Sequence, residues 1–406
     1  MKVKIRQEED YYLVYFLDSR RAIGVNATGA KILDSLFNRG ENVDDIITTL
    51  SDEFHLSFES VKRDADEFLS QIEQEITPEG FNVIEQCQLN KPLGVELELI
   101  TSCNLSCRHC IQESHQGISM STEKAIDILH KLADHQVCEI SITGGEPFLH
   151  EDLIRVLECC QDYEMALSLV TNGVLIDAAM IKKLASINRL IIVISLDGNE
   201  EIHDYIRGAG MFAKTDSALR ALLAEGVGVE TTCTLNAINI PVYPEVLEYC
   251  EKLDIPCNFN LFKPFRDSQR YLIPDPEIFF ETIVALLELR KDKRYKIGLS
   301  NAAIVSELLG LPPRNECRAT QSGLVIDVEG RMLTCPSLVE AGYYKNEELP
   351  VFDDNFLETW QNHDIFARFR KNGFNECQAR SFIFSNDVRG HDPYGINAFR
   401  KYWRER

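Results

Sequence analysis

Cys103, Cys107 and Cys110 stand as Cys-x-x-x-Cys-x-x-Cys directly after the apolar run Gly94–Ile100. Iron–sulfur clusters are usually held by four thiolates. Three thiolates at this spacing suit a cubane cluster whose fourth iron has no protein ligand. A small chelating molecule can bind an iron left open in this way and receive an electron there. Taken alone, the trio also suits zinc, with His109 or His115 as a fourth ligand.

Three further groups stand at intervals downstream. Gly144-Gly145-Glu146-Pro147 offers two small residues that let backbone approach a ligand, with carbonyls and a carboxylate to accept from an ammonium group. Thr171-Asn172-Gly173 can bond ribose hydroxyls. Ser195-Leu-Asp197-Gly198 precedes His203-Asp204-Tyr-Ile-Arg207-Gly208, in which Ser195 and Arg207 can clamp a carboxylate, the guanidinium as a bidentate fork. Singly, the glycines would be an ordinary tight turn and Arg207 a surface ion pair. In this order they describe a receptor for an amino acid joined to a nucleoside.

Cys317, Cys335 and Cys377 form a second set near the C-terminus, and Asp392-Pro393-Tyr394-Gly395 follows them. Cys138, Cys159, Cys160, Cys233, Cys250 and Cys257 lie inside apolar patterns and read as small buried hydrophobes. Cys87 falls in a linker and has no assigned role.

These residues need elements to position them. Residues 1–85 open with β-rich runs at Tyr11–Leu17 and Ala22–Val25. Amphipathic stretches follow at Thr28–Phe37, Val43–Phe54 and Phe58–Ile76. A small sheet with three helices is a winged-helix-like α+β plan. A linker near Thr77–Pro92 carries Pro78, Gly80 and Pro92. Residues 93–292 alternate strand and helix, with strands at Gly94–Ile100, Glu139–Thr143, Ala166–Thr171, Leu190–Leu196, Val229–Leu235 and Asn258–Phe262. The strands read as near-continuous apolar runs, the pattern of a parallel sheet covered on both faces. Six βα units predict a partial (β/α)6 TIM-like barrel with functional residues at the C-terminal strand ends. Residues 293–406 carry a β-hairpin turning at Glu329-Gly330.

Bulk properties narrow the class. The chain has 406 residues, 45% hydrophobic and 26% charged, enough for two or three domains. A net charge of −22 disfavours nucleic-acid binding, and carboxylates outnumber cations two to one in residues 1–85. No secretion signal or membrane-length apolar run is present, so a cytoplasmic location without membrane attachment is expected. An odd cysteine count, 13, fits metal-bound or unpaired thiols in a reducing compartment.

The ordered motifs over about residues 93–265 resemble the radical S-adenosylmethionine (SAM) superfamily. The resemblance implies a [4Fe–4S] cluster on Cys103, Cys107 and Cys110, with SAM on the open iron. It further implies that Gly144, Gly145, Glu146 and Pro147 bind the SAM amino group, Ser195 and Arg207 its carboxylate, and Thr171, Asn172 and Gly173 its ribose. His109 stands where the family usually has an aromatic residue against the adenine. The activity implied is cleavage of SAM to a 5′-deoxyadenosyl radical that abstracts hydrogen, with an electron donor such as flavodoxin or ferredoxin. Gly330-x-x-x-x-Cys335 and Cys377-x-Ala-Arg380 resemble a reduced SPASM or twitch extension. That implies one auxiliary iron–sulfur cluster on Cys317, Cys335 and Cys377, the alternative being a decayed extension with structural thiols. Asn26-Ala-Thr-Gly29-Ala30, Val61-Lys-Arg-Asp64 and Phe68-Leu69 resemble the RiPP recognition element, the small domain that binds the leader of a ribosomally made precursor peptide. The expectation is a radical SAM peptide maturase forming an oxidative cross-link. The alternatives are a peptide epimerase, a leader-independent maturase of a protein side chain or small molecule, and a non-catalytic iron–sulfur sensor.

Overall fold

The structure, a computed structural model, describes residues 2–75, 88–112 and 117–404. Cys87, His115 and most of the expected linker lie outside the described residues.

The N-terminal part holds three antiparallel strands, β1 (Val3–Gln7), β2 (Tyr12–Phe16) and β3 (Arg21–Val25), in the order β1-β2-β3. Helices Ala27–Asp34, Val43–Phe54 and Phe58–Glu75 follow. Asn26 and Asn42 start the first two, each side chain accepting from a backbone N–H three residues on. β1 was not expected from sequence. Its Lys4 and Arg6 suggest a solvated segment, yet both side chains point into protein. Lys4 Nζ donates to the Tyr163 carbonyl at 2.9 Å, and the Arg6 guanidinium to the Lys91 and Pro92 carbonyls at 2.8 Å each.

This sheet is buried on both faces, which explains the unbroken apolar run of β2. Val14, Phe16, Ile23 and Val25 pack against Ala30 and Leu33 of the first helix. Leu13, Tyr15, Leu17 and Ala22 pack the other way, against Leu93, Cys138 and Ala166 at the beginnings of the barrel strands. Tyr15 Oη donates to Glu139 Oε1 at 2.8 Å. Arg20, in the β2–β3 turn, donates to Ser168 Oγ and the Leu167 carbonyl, both at 2.7 Å. The small domain therefore forms a bolted floor under the barrel.

The six expected strands occur as β4 (Gly94–Glu98), β5 (Glu139–Thr143), β6 (Ala166–Thr171), β7 (Leu190–Ser195), β8 (Gly228–Leu235) and β9 (Cys257–Leu261), each parallel to the next. Residues 293–406 add strands at both edges. β10 (Ile297–Leu299) pairs parallel with β9, β11 (Gly323–Ile326) pairs parallel with β4, and β12 (Met332–Leu333) closes the hairpin, giving nine strands. The expected boundary at 292/293 thus falls within one sheet.

The sheet curls. Held flat, the ends of β4 and β9 would be five strand spacings apart, about 24 Å. Instead Gln269 and Arg266, after β9, donate to the Cys110 carbonyl, after β4, at 2.9 and 2.6 Å. One face of the strands packs on the helices through residues such as Val95, Leu97 and Leu99. The other carries half-buried polar residues: Glu96, Glu98, Thr143, Glu230, Thr232 and Asn258. The expectation of strands apolar on both faces is corrected: the inner face is a polar-lined concavity. Among the described residues, no helix is long and apolar enough to cross a membrane.

Candidate active site

The cysteine loop leaves the C-terminal end of β4 and is tied down on several sides. Arg108 N donates to the Ile206 carbonyl at 2.9 Å, and its Nε to the Tyr205 carbonyl at 2.7 Å, with the guanidinium 4.3 Å over the Tyr205 ring. Gly145 N donates to the Ile100 carbonyl at 2.7 Å and Glu146 N to the Ser102 carbonyl at 2.8 Å. Gly144 has φ +145°, in the region that favours glycine. A Cβ at Gly145 would sit 2.5 Å from the Thr101 carbonyl oxygen and closer still to that of Ser102. The two glycines are therefore required by the approach of the cysteine loop itself.

Glu146 is fully buried at the start of a short 3-10 turn, Pro147–Leu149. Its Oε1 accepts from Thr171 Oγ1 at 2.7 Å and Phe148 N at 3.2 Å, and its Oε2 from Asn172 N at 2.9 Å. Gly173 N donates to Thr171 Oγ1 at 3.0 Å, and Asn172 Nδ2 to Asn104 Oδ1 at 2.8 Å. This differs from the expectation of a carboxylate open to an ammonium group. The ends of β5 and β6 are latched to each other and, through Asn104, to the cysteine loop. Asn104 was not singled out from sequence, because an Asn between two cysteines looks like a turn residue.

Arg207 ends helix Glu200–Arg207. Its Nε donates to Asp197 Oδ2 at 2.6 Å, and its Nη1 lies 3.9 Å from Cys107 Sγ. Asp197 is fully buried, and its other oxygen accepts from Thr234 N at 3.1 Å. Burial alone would raise the Asp197 carboxyl, but the charge of Arg207, helped by His109 and His203, outweighs it and holds the group at about 2. No sequence signal marked Asp197, because the burial of Arg207 that calls for a buried counter-charge is visible only in the structure. Ser195 is half-buried at the end of β7, beside Thr232 of β8.

His109 Nε2 lies 3.5 Å from Asp197 Oδ2, and its Nδ1 is buried without a hydrogen-bond partner among the described residues. Burial lowers the His109 pKa, which favours the neutral ring. Burial raises all three thiols of the loop, while Arg207 pulls each of them down and Arg266 pulls Cys110 down. Among the described residues, no group of three His, Cys, Asp or Glu has the close convergence that a single metal ion needs. A cubane holds its thiolates farther apart than one ion does. Three soft, partly desolvated sulfurs with cations beside them fit an anionic iron–sulfur cluster.

In the second set, Cys335 follows β12, Cys377 precedes helix Gln378–Ser385, and Cys317 precedes β11. Burial, then the charges of Cys335 and Cys377, push Cys317 up to about 12, so the three thiols lie within electrostatic reach of one another. Asp392, where a further cysteine would be looked for, is locked in a buried ion network. Both its oxygens accept from Arg380 Nε, at 3.0 and 2.9 Å, and Arg380 Nη2 donates to Glu316 Oε1 at 2.7 Å. Glu316 and Arg380 flank Cys317 and Cys377 in the chain, so this network holds those two cysteines in register.

Residues 97–253 match the family model of the radical SAM superfamily, and residues 12–75 match that of coenzyme PQQ synthesis protein D (PqqD). The chain carries a radical SAM domain joined to a PqqD-like domain. Mycofactocin maturase MftC of Mycobacterium tuberculosis is 26% identical over 298 residues, 71% of this chain and 76% of that one. PqqA peptide cyclase of Bradyrhizobium diazoefficiens is 23% identical over 331 residues, 74% and 85% of the two chains. The crystal structure of Streptococcus suis SuiB bound to SAM superposes with a TM-score of 0.69 at 14% identity, covering 91% of this chain and 89% of SuiB. As a radical SAM enzyme the protein uses a [4Fe–4S] cluster and SAM, which together supply a 5′-deoxyadenosyl radical.

Proposed function

We propose that this enzyme modifies a ribosomally made precursor peptide and closes an oxidative cross-link in it. One juxtaposition carries the reading: a PqqD-like domain is bolted to the N-terminal ends of the same strands whose C-terminal ends hold the cysteine loop. The small domain would take the leader by strand addition to an edge of its sheet. The core segment would enter the polar concavity above. The relatives named as a maturase and a peptide cyclase support a peptide substrate.

The chain's own residues have distinct tasks in this reading. Cys103, Cys107 and Cys110 would hold the catalytic cluster. Arg207, fixed by Asp197, would direct its remaining N–H groups with Ser195 to the SAM carboxylate. Backbone groups of Gly144 to Pro147, stiffened by Glu146, would meet the SAM amino group. Asn172 and Gly173 would border the ribose, with Thr171 holding them in place, and His109 the adenine. After hydrogen abstraction, joining the carbon radical to a second atom releases that atom's proton and one electron. The proton would go to solvent, and Cys317, Cys335 and Cys377 would hold an auxiliary iron–sulfur cluster able to accept the electron. Flavodoxin or ferredoxin would supply the initiating electron.

Anaerobic incubation of reconstituted enzyme, SAM and reductant with a precursor peptide encoded beside its gene tests this. A peptide lighter by two mass units with one new intramolecular link is expected, together with 5′-deoxyadenosine. Unchanged mass with deuterium uptake from solvent would replace cross-linking by epimerisation. Loss of the PqqD-like domain without effect on modification would remove the leader from the reading.

A further inference from the structure

Helix Ile396–Arg404 carries the cations Arg400, Lys401 and Arg404 and no acidic residue, in a chain whose net charge is −22. Its apolar face is occupied within the protein. Ile396, Phe399 and Tyr402 are buried, and the rings of Phe399 and Tyr402 each lie 5.4 Å from that of Phe280 in helix Pro276–Leu289. The other face, with Asn397, Arg400, Lys401, Trp403 and Arg404, is exposed. Trp403 stacks on Phe399 with ring centres 5.5 Å apart. Arg400 is held by Glu307, its Nε donating to the two carboxylate oxygens at 3.0 and 2.8 Å. Lys401 and Arg404 form no ion pair among the described residues.

Two adjoining hollows open on this face. One of about 250 Å³ is bordered by Glu307, Arg314, Asn375, Asn397 and Arg400, and one of about 350 Å³ by Asn397, Arg400, Lys401 and Arg404. The first reaches the second cysteine set. Asn397 N donates to Glu376 Oε1 at 3.0 Å, and Asn375 and Glu376 immediately precede Cys377. A second basic run, residues 290–296, differs: Lys291, Arg294 and Lys296 pair with Glu288, Asp292 and Asp254. Cations at a rim steer an acidic partner into contact. A lipid surface would need the apolar side of the helix, which is buried, and the net charge of the chain opposes nucleic acid.

We propose that the basic face of helix Ile396–Arg404 docks an acidic one-electron carrier protein, of the flavodoxin or ferredoxin class, beside Cys377. The electron released on bond closure then has a way out: the second set is oxidised by one electron and the carrier is reduced by one. Lys401 and Arg404 provide the attraction, and Arg400, fixed by Glu307, shapes the hollow between them and Cys377. This rests on the reading that Cys317, Cys335 and Cys377 hold a cluster.

The test is anaerobic binding of the reconstituted full chain to two probes, an acidic oxidised flavodoxin and an acidic oxidised [2Fe–2S] ferredoxin, measured by biolayer interferometry. Wild type is compared with the double variants Lys401→Glu/Arg404→Glu and Lys401→Gln/Arg404→Gln. Lys182→Glu/Lys183→Glu makes the same change of net charge on another exposed helix. At about 50 mM salt, where charges act over more than about 10 Å, the Glu pair at 401 and 404 is expected to weaken at least one carrier about tenfold or more. The Gln pair should weaken it less, and the control should stay within about twofold of wild type. Raising salt to about 1 M should remove most of the difference. Equal weakening by the control, no effect of the Glu pair, or no binding of either carrier overturns the proposal. So does charge-sensitive capture of anionic lipid vesicles in place of the carriers. Iron analysis separates the proposal from the reading beneath it. Wild type with about four irons per chain in place of about eight has no auxiliary cubane, and both then fall. With about eight irons and no effect of the Glu pair, the docking surface alone falls.

Discussion

Removing the charge of Asp197 is the sharpest probe of how the site is held. Asp197→Asn keeps the shape and one acceptor oxygen but leaves Arg207 buried beside Cys107 without its counter-charge. The carboxyl lies at about 2 instead of its ordinary 3.8, a displacement equivalent to about 2 kcal/mol. Breaking one side of a buried ion pair costs about 3–5 kcal/mol, so the loss falls between these figures. The melting temperature of the metal-free chain at pH 7 should drop by at least about 2 °C, because a chain of 406 residues has a large unfolding entropy. Arg220→Ala, which breaks the exposed pair with Asp216, should leave it within about 1 °C. Because the folded carboxyl is depressed, its stabilisation is complete above the unfolded value near 3.8. It decays as pH falls toward about 2 and is about half gone near pH 3. The gap between wild type and Asp197→Asn should close over that range. A variant that melts with wild type at pH 7 would refute the claim that this charge anchors Arg207.

Two other perturbations separate backbone from charge. Gly145→Ala places a Cβ against two carbonyls of the cysteine loop, and backbone cannot swing aside as a side chain can. Overpacking of this kind costs about 1–3 kcal/mol. Iron retained after reconstitution should fall with the melting temperature, and full iron at wild-type stability would contradict the close approach. Glu98 is pushed up to about 7 by burial, then by Glu96 and Asp327. A raised carboxyl weakens the fold as pH climbs from about 4.5 through about 7. Glu98→Gln should therefore gain up to about 3 kcal/mol over wild type at pH 8 and little at pH 5. Melting curves that stay the same distance apart at both pH values would count against it.

The sequence was most readable where a local pattern had a single structural meaning. Six apolar strands at βα intervals, each ending in a polar motif, could hardly be placed except side by side with those motifs at one end. The cysteine spacings were legible for the same reason. Non-local pairing was not. Nothing in Gly323–Ile326 says that it joins β4, more than 220 residues earlier, because parallel edge pairing leaves no local signature. β1 was hidden by Lys4 and Arg6, whose charges are satisfied by barrel carbonyls far away in sequence. Within the site, residue types indicated acceptors and donors but not which of them neutralise one another. Glu146, Thr171 and Asn172 looked like ligand contacts and are bonded mutually. Asp197 had no assigned role and is a fully buried anion of the site.

That arrangement bears on what kind of substrate can use the molecule. Tyr15 meets Glu139, the first residue of β5, and Gly144 follows the last. Five residues of strand separate floor from mouth, about 17 Å, so the recognition sheet and the cysteine loop address opposite ends of the barrel wall. A small molecule at the mouth cannot touch the floor, and the PqqD-like domain would then serve only as a plug. A chain held at the sheet edge needs at least about five extended residues to pass the wall before any of its side chains reaches the mouth. A peptide with a recognition segment kept apart from its modified segment meets that requirement, and the bolts through Tyr15, Arg20, Lys4 and Arg6 keep the separation fixed.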